Sequence, residues 1–173
     1  VKDDTMEEVF TTGNDFESLT AKYIPDHYNC SNDDITIDDR SGKKGVESES
    51  VTIGKIEDRT FAFIGLERIG GIMVYDVTDP KNAVYVNYIN SRNFDSDIAG
   101  DDSPEGMKFI SAKDSSTGKP QLLVAYEVSG TVGTYDLTFV SNDHDDKNEE
   151  TTEPGDTPKD PTSSSDEKND QSS

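Results

Sequence analysis

From Val51 onward the apolar residues fall in short runs of five to nine residues, each closed by Gly, Asp, Pro, Ser or Asn. The runs are Val51–Ile56, Thr60–Glu67, Gly71–Val77 and Ala83–Asn90, followed after a polar loop by Gly106–Ala112, Gln121–Val128 and Thr131–Phe139. Val, Ile, Phe and Tyr dominate them, and such runs between turn residues predict seven β-strands. Asp79-Pro80 closes one run, because proline cannot donate to a central ladder. No sustained 3.6-residue period occurs in this half. Upstream, Phe16, Leu19 and Tyr23 fall on one side of a helix predicted over Asp15–Tyr23, with Asn14 placed to cap it and Pro25 to end it. Glu7–Thr11 reads as an outer strand of a preceding sheet, and Asn29–Ser50 as a long polar loop of the kind that is usually functional or mobile.

The strands repeat. Sliding the chain by 60 residues lays Phe61–Val77 over Gln121–Leu137, so that Glu67 meets Glu127, Gly70 meets Gly130, Tyr75 meets Tyr135 and Asp76 meets Asp136. Glu49-Ser50-Val51 matches Glu105-Gly106-Met107 at an offset of 56, which requires four extra residues in the second hairpin loop, at Lys113–Lys119. A repeat of about 55–60 residues holding three or four antiparallel strands has the form of a β-propeller blade. The expected fold is therefore all-β: about two four-stranded antiparallel blades from the C-terminal part of a propeller, with a short N-terminal helix and a disordered acidic tail. The last blade shows only three strands, and its fourth is expected from elsewhere. The chain divides into 1–50 (end of a preceding blade, helix and acidic loop), 51–140 (two blades) and 141–173 (linker).

Composition explains the last division. The 173 residues include 37 acidic and 16 basic ones, for a net charge of −21. Apart from three prolines, every apolar side chain lies before Ser141, and the remaining residues are acids, Ser, Thr, Pro, Asn and Gly with a few lysines, His144 and Gln171. A segment without apolar surface cannot offset its ordering entropy, so it reads as a disordered, extended spacer. The acidity excludes ordinary nucleic-acid binding, and no apolar run approaches the roughly 20 residues of a membrane helix. One cysteine, Cys30, excludes a disulfide framework, and only two histidines, His27 and His144, are present. Neither a nucleophile elbow nor a zinc-protease motif occurs.

The stretch Thr60-Phe-Ala-Phe-Ile-Gly-Leu-Glu-Arg-Ile-Gly-Gly-Ile-Met-Val-Tyr-Asp-Val-Thr-Asp-Pro80 resembles a blade of the choice-of-anchor I family. Asn14-Asp15-Phe16-Glu17, Asp38-Asp39-Arg40-Ser41, Pro104-Glu105-Gly106 and Glu127-Val128-Ser129-Gly130-Thr131 extend the resemblance over about Glu7 to Phe139. It departs at Gly45-Val46-Glu47-Ser48-Glu49, where the family pattern is Gly-Pro-Glu-x-Glu. These are bacterial secreted or surface propellers related to LVIVD-repeat proteins, and some carry an alkaline-phosphatase-like label. The resemblance implies an extracellular, cell-surface or cell-wall location, with further propeller blades as structural partners.

Candidate chemistry centres on carboxylates. Glu49 and Glu105 open the first strand of each repeat, while Glu67 and Glu127 end the second. Repeated acids converging at one end of a propeller could hold Ca²⁺ or another divalent cation, since hard cations take several oxygen ligands. They could equally accept backbone N–H bonds. Asp38 and Asp39 are further candidate ligands, although their loop misses the EF-hand spacing. Arg40 and Arg68 are candidates for binding an anionic ligand, with an internal carboxylate pair as the alternative for Arg40. Asp95, Asp97, Asp101 and Asp102 form another acidic loop, and Cys30 reads as a lone thiol. The leading expectation is a surface module that binds an unknown ligand or protein through an acid-rich face. The alternative is a metal-dependent phosphoesterase whose site is completed by blades outside this chain.

Overall fold

The computed structural model describes residues 6–138. It is all-β apart from helix α1 (Asp15–Tyr23) and a single 3₁₀ turn, Pro25–His27. Seven strands follow: β1 (Ser48–Ile56), β2 (Arg59–Leu66), β3 (Ile72–Asp76), β4 (Val84–Ile89), β5 (Pro104–Ile110), β6 (Gln121–Tyr126) and β7 (Thr131–Asp136). They form two antiparallel meanders, β1-β2-β3-β4 and β5-β6-β7. All seven strands coincide with the apolar runs within a few residues. The expected four-strand second sheet has three strands among the described residues. The expected linker 141–173 lies outside them.

The internal repeat is visible in the pairing. Phe61 faces Asp76 and Gln121 faces Asp136, both at the 60-residue offset. The first strands obey the 56-residue offset: Ser50 pairs with Gly65, and Gly106 with Ala125. Register slips between Ser48 and Ser50 in one sheet and between Pro104 and Gly106 in the other. Glu49 and Glu105 are thus the extra residues of equivalent β-bulges, a device that re-aims side chains at the end of a ladder. Just before each bulge, Glu47 and Ser103 take left-handed backbone (φ 53° and 62°) and accept the N–H of Glu67 and Glu127 at 2.8 and 2.9 Å. The turns after β2 and β6 use Gly70 and Gly130 at φ 84° and 66°, where a side chain would be strained.

Two apolar layers hold the unit together. Between the sheets lie Phe61, Phe63, Ile72 and Val74 from the first and Leu122, Val124 and Tyr126 from the second, all buried. Each such side chain contributes on the order of 1.5–3 kcal/mol relative to exposure. Gly54 on β1 permits the close approach, since a Cβ there would meet the Phe109 ring at 2.2 Å. On the far face of the first sheet, Leu66, Ile69, Met73 and Tyr75 pack with Cys30 and Val46 and with Phe16 and Leu19 of α1. The helix matches its predicted bounds, but Asn14 makes no side-chain capping bond and Tyr23 is half exposed. Phe16 and Leu19 seat it, and the Tyr23 ring lies 6.3 and 6.4 Å from those of Tyr85 and Tyr88 on β4.

Two expectations for the first fifty residues need correction. Glu7–Thr11 is irregular, not a strand, and pairs with none of the seven described strands. The Asn29–Ser50 loop is tightly organised: Asn29, Cys30, Ser31 and Asn32 are buried, and the loop closes on itself through Arg40 N to Asn29 O at 2.9 Å and Asp38 N to Tyr28 O at 2.8 Å.

Candidate functional site

The bulge at Glu49, the left-handed turn at Glu47 and the end of β2 bring three carboxylates together. Oxygens of Glu47, Glu49 and Glu67 all lie within 4.8 Å of one another. Three like charges at that distance are tolerable only with compensation, and the loop supplies it. Glu47 accepts from Arg40 Nη2 at 2.9 Å, Arg68 Nε at 2.9 Å and Lys44 Nζ at 2.5 Å. The Lys44 and Arg68 bonds hold its carboxyl at about 2, outweighing burial.

Glu67 goes the other way. It is buried, and burial pushes its carboxyl up to about 7, helped by a hydrogen bond with Glu49 and opposed by Arg68, whose Nη2 sits 3.2 Å from Oε1. Near neutral pH its proton is donated toward Glu49 in a substantial fraction of molecules. Asn32 completes the surround, its Nδ2 donating to Ser103 Oγ at 2.8 Å and to Glu67 Oε1 at 3.4 Å, while its Oδ1 accepts from Arg68 Nη1 at 2.9 Å. Ser103 in turn donates to the Glu67 carbonyl at 3.1 Å, so the site spans the join between the two sheets.

The sequence candidates therefore separate. Glu49 and Glu67 meet, and Glu47 joins them. Glu105 and Glu127 occupy the equivalent backbone positions but are exposed, and they stand apart from the cluster. Their sheet has Ser103 where the first has Glu47, and Val128 where the first has Arg68, so neither the third carboxylate nor the arginine is repeated. Asp38 and Asp39 also lie apart: Asp38 accepts from Ser41, and Asp39 pairs with Lys43 at 3.2 Å. Arg40 and Arg68 point at Glu47, the internal pairing weighed for Arg40.

A second polar centre escaped the sequence reading. Arg92 and Asp102 are fully enclosed, with Nε and Oδ2 3.5 Å apart. Arg92 also donates to the carbonyls of Arg68 at 3.0 Å, Asp97 at 3.1 Å and Asn32 at 3.4 Å, and its guanidinium lies 4.9 Å from the Phe94 ring centre. Asp102 is raised to about 6 by burial, against the pull of Arg92. This pair staples the loop after β4 to the Asn29–Asn32 segment. Cys30 lies 3.7 Å from Arg92 Nη1, but burial pushes its thiol up despite that neighbour, as suits an inert thiol.

Two stacked antiparallel sheets with equivalent bulges, and an acidic centre at one end of their join, define an all-β repeat module. Residues 1–80 match the choice-of-anchor I domain, the family that the motifs resemble. The match suggests a surface-associated module, and no helix among the described residues is long and apolar enough to cross a membrane. The chain is also 27% identical over 157 residues to Gigasin-3a of Magallana gigas, covering 82% of this chain and 55% of that protein. The chain thus spans about half the length of that relative. No solved structure matches it.

Proposed function

We propose that the chain is an extracellular cell-surface β-propeller module that binds a ligand or protein through its acid-rich end, with a divalent cation at Glu47, Glu49 and Glu67 organising that face. The supporting observation is the convergence of three carboxylates, one of which keeps a proton near neutral pH. A cation entering the cluster displaces that proton and relieves the repulsion between Glu49 and Glu67. Calcium takes six to eight oxygens, so three carboxylates leave positions for water or for anionic groups of a ligand. Arg68, on the cluster's rim, offers donors to the same anion.

Calorimetric titration of the chain at pH 7 with Ca²⁺, Mg²⁺, Mn²⁺ and Zn²⁺, in two buffers of different ionisation enthalpy, tests this. Binding of one cation with proton release is expected, lost in Glu49→Gln and Glu67→Gln and kept in Glu105→Gln. Absence of binding with all four cations would remove the cation from the proposal.

A further inference from the structure

One cationic partner of Glu47 differs from the other two. Gly45, at φ 57°, and the bonds from Lys43 N and Gly45 N to Arg40 O, at 2.9 and 3.0 Å, fold residues 40–45 into a tight turn. The turn brings Lys44 back onto Glu47: Glu47 N–H donates to Lys44 O at 3.3 Å, and Lys44 Nζ donates to Glu47 Oε1 at 2.5 Å. Arg40 and Arg68 both donate to the other oxygen, Oε2. A carboxylate oxygen offers two lone pairs, so Oε2 is filled and Oε1 is the oxygen left for a cation. Lys44 stands on it.

Arg40, Arg68 and Lys44 already set three positive charges against the carboxyls of Glu47, Glu49 and Glu67. A divalent cation added to all three would overcharge the cluster, so one of them has to leave. The Arg40 and Arg68 side chains are 13% and 27% exposed, and Arg68 is also tied to Glu67 and Asn32. The Lys44 side chain is 69% exposed and hydrogen-bonds to Glu47 alone among the described residues. An ammonium is a strongly hydrated point charge on a flexible stem, and an exposed pair of this kind is weak. Its short tether, however, holds it at high local concentration beside Glu47. We propose that Lys44 is a tethered competitor for the cation at Glu47, Glu49 and Glu67: its ammonium fills the cluster in the cation-free chain and swings into solvent when the cation binds. The inference rests on the cation reading above and deepens it. Lys44 sets the cation concentration at which the face becomes organised, and cation binding frees a lysine on that face.

Calorimetric titration of the wild type, Lys44→Met, Lys44→Arg and Lys55→Met with Ca²⁺, Mg²⁺, Mn²⁺ and Zn²⁺ at pH 7 tests this. A second readout is the rate at which an N-hydroxysuccinimide ester acylates Lys44, followed by mass spectrometry. Lys44→Met is expected to bind the cation roughly threefold to tenfold more tightly than the wild type. Lys44→Arg keeps the charge, and Lys55 lies at the other end of β1 from Glu49, so both variants should stay close to the wild type. In the wild type, saturating cation should speed acylation of Lys44 and leave that of Lys55 unchanged. Equal or weaker binding by Lys44→Met, an equal gain in Lys44→Arg or Lys55→Met, or unchanged acylation of Lys44 overturns the competitor and leaves the cation site standing. Binding by Lys44→Met with none by the wild type supports the competitor in its strongest form. No binding by either protein overturns the cation site and the competitor together.

Discussion

Replacing Glu67 by Gln isolates the cost of burying a carboxyl inside the acidic cluster. The folded chain holds this carboxyl at about 7 against an ordinary 4.5. Between those two pH values the folded state keeps a proton that the unfolded state has released, so stability falls as pH rises through the window. A difference of about 2.5 pH units at about 1.4 kcal/mol per unit gives a total loss of about 3.5 kcal/mol from Glu67 alone. Gln keeps the shape and can still accept from Arg68 and donate to Glu49, but it does not titrate. Urea unfolding of both proteins from pH 4 to pH 8 gives their stability difference at each pH, in which the other titrating groups cancel to first order. Relative to the variant, the wild type is expected to lose about 3 kcal/mol between pH 4.5 and 7.5. A difference that stays flat across that range would refute the buried, proton-holding assignment.

The other groups titrate with their own signs. Glu47, held at about 2 chiefly by its hydrogen bonds from Lys44 and Arg68, stabilises the fold above pH 4.5 and loses that contribution as pH falls toward 2. In Glu47→Gln, acid unfolding should lose this component, and stability at pH 7 should drop by about 1–2 kcal/mol, because solvent screens the bond to exposed Lys44; denaturant titration reads it. Arg92→Met leaves Asp102 buried without its cation and should cost about 3–5 kcal/mol, whereas Arg92→Met with Asp102→Leu should cost less than the single change, a double-mutant cycle with positive coupling. Phe63→Ala empties the layer between the sheets and should cost about 3–5 kcal/mol by thermal or urea unfolding.

Strands were the most legible part of the sequence, because short apolar runs between turn residues have few other structures open to them. The two offsets also carried real geometry: the shift from 60 to 56 marks the longer loop between β5 and β6 and places Glu49 and Glu105 in matching bulges. Glu7–Thr11 misled because strand propensity builds nothing until the segment pairs, and it pairs with no described strand. The acidic site was half legible. Repetition identified Glu49 and Glu67, but it also implied that Glu105 and Glu127 would share their fate. Their neighbours decide otherwise, since the residues that complete the cluster, Glu47 and Arg68, are not repeated. Glu47 was within reach, as the first glutamate of the Gly45–Glu49 stretch that matches the family's Glu-x-Glu spacing. Arg92 and Asp102 had no such signal: their meeting depends on how two irregular loops fold over Cys30 and Asn32, and no period or motif encodes that.

The cation site at Glu47, Glu49 and Glu67 is tested most directly by thermal melts of the chain in EDTA and then in excess Ca²⁺, Mg²⁺, Mn²⁺ or Zn²⁺. At a hundredfold excess over Kd, one cation is expected to stabilise the fold by about 2.7 kcal/mol, seen as a raised midpoint. The gain should vanish in Glu49→Gln with Glu67→Gln and persist in Glu105→Gln. An unchanged midpoint with every cation, or a gain that survives the Glu49 and Glu67 changes, would contradict a cation-organised face.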